Sequence, residues 1–284
     1  MVGLAGRPRP RDPGDSLVVG RMTRPVALLV ALLGCGCRPL LRPSVDAPKG
    51  DPSEAWEQVL GAVVTHDGYV DYDLLSSRRG PLDSFVAWLG RDRSHVDREN
   101  TQHAFWLNAY NALVLFAVLE DGQPVSVMDV PGWIPVAGSG FFYERAFMVQ
   151  QQPTSLWEIE HERVRGRVMD LRDHAALNCA TRSCPPLRRE LYRTPELDEQ
   201  LKDQMRAWLA DDERGVRIEA DEAVFSPIFD MYAWDFAFLS AGDDLCTLGA
   251  RYLPGPKGDQ LKALAERGCP HRFAAFDASL NSGR

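Results

Sequence analysis

The 284-residue sequence has no Gly-rich P-loop and no GxGxxG turn. These absences remove nucleotide kinases and dinucleotide oxidoreductases from consideration. The GxSxG elbow of α/β-type hydrolases is also missing. Zinc sites are built on tight pairs such as CxxC or HxxxH, and neither occurs. His174, Cys179 and Cys184 fall five apart, with His161 upstream, and Cys179 and Cys184 stand too far apart for a thioredoxin-like dithiol. No metal and no cofactor is therefore expected. Positive charge is in short supply, with 32 Lys and Arg against 40 Asp and Glu. Phosphate binding requires a basic face, so nucleic acid is not an expected partner. There is no internal repeat.

The composition, 45% hydrophobic and 25% charged, is ordinary for a globular chain. The N-terminus is more specific. Arg21 and Arg24 precede the apolar run Pro25 to Leu33, which reads as a secretory signal too short for a stable membrane span. Its end, Leu32-Leu33-Gly34-Cys35, resembles the bacterial lipobox, in which the cysteine becomes the lipidated first residue after cleavage. The expectation is a lipoprotein of the bacterial cell envelope, facing the periplasm or outer surface and held to the membrane through Cys35. The alternative is an ordinary signal cleaved near Gly34, and Met22 opens either signal more naturally than Met1. Without residues 1–34, 27 basic residues face 38 acidic ones. The reading divides the chain into extension and signal (1–34), Pro-rich tether (35–53) and one domain (54–284).

Within the domain, HAALNCATRSCPP (His174 to Pro186) places Asn178, Cys179, Ser183 and Cys184 between an apolar approach and a double-proline exit. A thiol is a strong nucleophile only as thiolate, so it needs a base or a positive field nearby. His161 in SLWEIEHERVR is the first candidate base and His174 the second. Glu160 or Glu158 would orient the imidazole, and Asn178 or backbone amides near Cys179 would donate to an oxyanion. Ser155 and Glu158 have capping-box spacing, which gives Glu158 a structural task as well. Glu160 lies elsewhere on an α-helical wheel from His161. Three other outcomes stay open: Cys179 as a buried apolar residue, a Cys179–Cys184 disulfide that would block the nucleophile, and a Cys246–Cys269 bridge.

Helical spacing predicts helices near 54–64, 82–89, 103–120, 194–209 and 257–267. The 103–120 segment, apolar nearly all round, should be a central buried helix. Asn108 and Asn111 share one of its faces, and either tie down neighbouring loops or line a site. YVDYDLL reads as a short strand, RAFMVQ as a strand and 216–225 as a strand pair. Pro124 to Tyr143, rich in Gly and Pro with two aromatic clusters, reads as a long loop of the kind that rims functional sites.

The segments VTHDGYVDY, FWLNAYNALV, SLWEIEHERVR, DLRDHAALNCATRSCPPLR, IFDMYAWDF and FDASLN together resemble domain-of-unknown-function family 547, in order from about Trp56 to Asn281. One departure is Ala278, where the family has Trp before SLN. The resemblance implies an α+β single domain similar to papain- and transglutaminase-like enzymes, with helices packed on a small antiparallel sheet and a Cys-His-Glu site. Its patterned polar positions are Asn108, Asn111, Glu160, His161, His174, Asn178, Cys179, Ser183 and Cys184. In papain-like enzymes the nucleophile precedes its histidine, whereas His161 precedes Cys179. The functional expectation is a thiol hydrolase acting on a peptide or small amide, with Asn108, Asn111 and Ser183 in binding roles. The alternative is a non-catalytic envelope module whose Asn, His and Cys network is structural.

Overall fold

The long helix α4 (Glu99–Glu120) is the axis of the fold, and its apolar positions from Trp106 to Val118 are buried. The structure, a computed structural model, describes residues 38–91 and 99–283. The signal and Cys35 lie outside the described residues.

Three helices precede α4: α1 (Ser53–Val63), α2 (Tyr72–Ser77) and α3 (Gly80–Leu89). The α2 segment was expected as a strand. Asp71 accepts the Leu74 N–H and caps a helix there, leaving only an isolated bridge at Val70. Packed beside α3 is a three-stranded sheet of β1 (Leu40–Leu41), β2 (Ala146–Val149) and β3 (Gln152–Thr154), with β1 parallel and β3 antiparallel to β2. Part of the expected tether is therefore a strand of the fold. These elements share one core, which includes Trp56, Tyr72, Phe85, Phe116 and Phe147.

A second core is built on α7 (Leu197–Ala210) and a second sheet, β4 (Val216–Glu219), β5 (Glu222–Phe225) and β6 (His271–Phe273). Its β4–β5 pair is antiparallel and its β5–β6 pair parallel. Trp208 stacks on Phe229 at 4.6 Å between centroids, and its indole N–H donates to the Arg214 carbonyl. Helices α8 (Pro227–Met231), α9 (Ala233–Leu239), α10 (Leu245–Tyr252) and α11 (Pro256–Glu266) complete this half. The Cys246–Cys269 disulfide joins α10 to the chain three residues beyond the end of α11. The α+β single domain is as expected, with two mixed sheets in place of one antiparallel sheet.

Between the halves run α5 (Leu156–Glu158) and α6 (Asp173–Ala176). Both capping-box bonds are present: Glu158 N–H to Ser155 Oγ at 3.1 Å and Ser155 N–H to Glu158 Oε2 at 2.7 Å. The helix then widens to π geometry over Ile159–Arg165 before a last α turn, Gly166–Val168. Such widened turns recur at functional sites.

Candidate functional site

A cavity of about 410 Å³ opens at the seam of the two cores. Its wall is mostly apolar, and Glu160, His161 and Cys179 all lie on it. Tyr110 comes from α4, and Trp157, Glu160 and His161 from α5 and its π-helical extension. Tyr232 stands between α8 and α9, while Met128, Ile134, Val136, Phe142 and Tyr143 come from the long loop. The loop is a rim, as its composition suggested, but it is pinned. Buried Glu144 accepts the N–H groups of Trp133 (2.7 Å) and Ile134 (2.8 Å). Burial pushes the Glu144 carboxyl up, and these N–H donors outweigh that and leave it below its ordinary value. Gly140 packs against the backbone of the same loop, where an added Cβ would stand 2.2 Å from the Pro131 carbonyl oxygen.

The His161 ring stacks on Trp157 at 4.5 Å between centroids, and its Nδ1 lies 3.1 Å from the Trp157 carbonyl. A carbonyl only accepts, so Nδ1 carries the proton and the neutral ring keeps its lone pair on Nε2. That nitrogen has no partner among the described residues. Burial lowers the His161 pKa below its ordinary value, against the opposing pull of Glu160. The imidazole is therefore a neutral acceptor at pH 7.

Neither glutamate orients this ring through a hydrogen bond. Glu158 is spent on the helix cap and on Arg38, whose Nη1 lies 2.7 Å from Oε1. Burial pushes this carboxyl up, and the Ser155 N–H and Arg38 outweigh it and hold it low. Glu158 is thus corrected to a structural residue. Glu160 shares the cavity wall with His161, but its oxygens accept from Tyr232 (2.7 Å) and Tyr110 (3.2 Å). Burial, reinforced by the Glu160 charge, pushes both phenols well above their ordinary pKa, so they remain donors. The effect of Glu160 on His161 is its field.

His174 is the second candidate base. It is buried away from the cavity wall, with Nε2 2.9 Å from Asp235 and its ring against Tyr232 and Phe236. Asp235 also takes Arg165 at 2.7 Å, and Arg165 lies over the Tyr232 ring at 4.4 Å. His174 therefore helps set the position of a cavity residue. The Asn178 amide, expected as an oxyanion donor, donates to the Pro185 carbonyl and accepts from Ala180 N–H and Asn281 Nδ2.

Asn108, Asn111 and Ser183, expected in binding roles, lie off the cavity that holds Cys179 and tie down loops, the other role open to the two asparagines. Asn108 makes a reciprocal pair with the Tyr192 backbone, and Asn111 bridges the Ala176 carbonyl and the Asn178 N–H. Ser183 Oγ accepts the Asp277 N–H at 2.7 Å. The Asn111 and Ser183 ties hold the 174–186 loop, on which Cys179 reaches the cavity wall, while Asn108 fixes the chain further on at Tyr192.

Cys179 and Cys184 form a disulfide, Cys179 half-buried at the cavity and Cys184 buried behind it. In this state Cys179 is not a nucleophile. Thr181 Oγ1 lies 3.4 Å from Cys179 Sγ and 3.1 Å from Cys184 Sγ, and Ala180 holds a left-handed backbone with φ at 59°. Residues absent from the sequence reading complete the site: Tyr110, Tyr232, Arg165 and Asn281. The signal for the tyrosines was a phenol inside an apolar segment, because a buried Tyr hydroxyl needs a partner.

An α+β domain with a histidine and a disulfide-held cysteine on one apolar cavity is the class this geometry defines. Residues 94–209 match the family described as "Protein of unknown function, DUF547", the family that the motifs resemble. The flanking motifs near Tyr69, Tyr232 and Asn281 lie outside the matched segment. Neither a curated protein nor a solved structure matches the chain.

Proposed function

We propose that the protein is a thiol hydrolase of the cell envelope, lipid-anchored at Cys35, that cleaves peptide or small amide bonds in the cavity once the Cys179–Cys184 disulfide is reduced. The observation that carries this reading is the shared cavity wall: Cys179 stands there with a histidine whose Nε2 is unprotonated and unpartnered. Cys179 gives its proton to Nε2 as Sγ bonds to the carbonyl carbon. His161 returns the proton to the departing amine, and water, deprotonated by the same nitrogen, releases the acyl group. Glu160, held by two phenols, stabilises the imidazolium through its charge. The apolar walls favour an apolar group beside the scissile carbonyl.

The disulfide favours a second reading, a dithiol that exchanges with a thiol partner, Cys179 being the accessible sulfur and Cys184 the buried one. The test is iodoacetamide labelling of Cys179 against pH in the reduced full chain, with mass mapping, followed by hydrolysis of acyl-amide substrates. Labelling that persists below about pH 7 and moves up in His161→Ala supports the hydrolase. Labelling at the ordinary thiol pKa, unmoved by the substitution, refutes the pair. Cys184→Ser separates the two readings: it leaves the hydrolase constitutively active and abolishes dithiol exchange.

A further inference from the structure

The cavity mouth stands in an unusually apolar surface. Trp133 (67% exposed) and Val136 (56%) project from the rim loop, and Met231 (50%), Trp234 (58%) and Phe238 (58%) follow at spacings of three and four along α8 and α9. Trp234 and Phe238 stack on each other at 5.0 Å, both largely exposed. Val136 and Met231 also line the cavity, so the apolar surface is continuous with its interior. Scattered exposed apolar side chains are normal, but a cluster of large ones around a cavity marks a contact surface.

What covers it follows from where the chain enters. Arg38, the first described residue, lies over the Tyr143 ring at 5.4 Å and bonds to Glu158, the neighbour of Trp157. Tyr143 and Trp157 are both cavity-wall residues. Cys35 is three residues before Arg38, and three extended residues reach at most about 11 Å. An acyl chain on Cys35 would therefore enter a bilayer within that reach of Arg38, which packs on the cavity-wall residue Tyr143. Trp side chains favour the membrane–water boundary.

We infer that the Trp133–Val136–Met231–Trp234–Phe238 face docks on the surface of a phospholipid bilayer, with the cavity mouth against the lipid; the inference rests on the anchor at Cys35 and not on hydrolase activity. The chain's acidic balance beyond residue 34 selects a zwitterionic surface, because anionic headgroups would repel it.

The test uses the lipidated full chain on vesicles of brominated phosphatidylcholine, reading sedimentation with the vesicles and quenching of tryptophan emission. Residues 1–37 contain no Trp, so quenching reports the domain and sedimentation the anchor. The expected result is quenching of which more than half disappears in Trp133→Phe/Trp234→Phe, with sedimentation unchanged. Sedimentation without quenching, or quenching that survives the double substitution, overturns the docking face and leaves the anchor standing. A chain that stays in the supernatant overturns both.

Discussion

Asn281, three residues before Arg284, fastens the tail to the loop that carries Cys179, and removing its side chain tests how that loop is held. It is buried, accepts the Tyr72 hydroxyl at 2.6 Å and donates from Nδ2 to Asn178 Oδ1 at 2.9 Å. Its backbone bonds, to the Ala180 carbonyl and from the Val70 N–H, survive in alanine. Asn281→Ala therefore removes two side-chain bonds and leaves the buried Tyr72 hydroxyl without a partner. Asn178 Oδ1 keeps the Ala180 N–H, so only one group is orphaned. An orphaned buried polar group costs about 1–3 kcal/mol and a lost bond about 1, giving a destabilisation of about 2–4 kcal/mol. Tyr72→Phe alone orphans the Asn281 carbonyl oxygen instead. Combined with Asn281→Ala it removes the orphan from both sides, so the double variant recovers about 1–2 kcal/mol relative to the sum. Urea unfolding of the four proteins, with m-values held constant, reads this coupling. Costs that add to within about 0.5 kcal/mol would refute the account of the tail.

Histidine titration by NMR should place the His161 midpoint below the ordinary 6.5, and Glu160→Gln should lower it further by removing the charge that opposes burial; a midpoint above 6.5 contradicts the neutral base. Because the folded pKa is depressed, the stability His161 contributes is complete above its unfolded pKa and is lost as pH falls through the folded value. Ser155→Ala should destabilise by about 1 kcal/mol in a thermal melt through loss of the cap over α5, with no change expected if the capping box is idle. Replacing Cys246 and Cys269 by Ser opens a loop spanning 23 residues and should cost about 3.4 kcal/mol in urea unfolding. Gly140→Ala should cost at least about 1–3 kcal/mol by driving a methyl group into the Pro131 carbonyl, and a wild-type melt would show that the rim is not packed as described.

The parts of the fold written in local pattern were legible in the sequence. The unbroken apolar surface of 103–120 marked α4, and Ser155 with Glu158 marked the start of α5. Alternation marked β2 and the β4–β5 pair. YVDYDLL misled because the cap supplied by Asp71 outweighed its strand-like residues. At the site, the pairing of His161 with the Cys179 segment could be read from residue type, but the company each side chain keeps could not. The position of Glu160 on the cavity wall depends on a π-helical stretch that no α-helical wheel describes. Its tyrosine partners come from positions 50 residues before it and 72 after it. Asn178, beside the cysteine in sequence, is turned into the interior by Pro185 and Asn281, contacts set by loop closure rather than spacing.

The entry of the chain has a mechanical consequence. Leu40–Leu41 pairs in parallel with β2, and Arg38 is bonded to Glu158 at the first turn of the helix whose extension carries His161. A pull along the strand on the chain that enters at Arg38 loads the β1–β2 ladder in shear and passes through the Arg38–Glu158 pair into that turn. The entering chain and the imidazole thus lie on one load path, and tension applied ahead of Arg38 is delivered to the helix that carries His161.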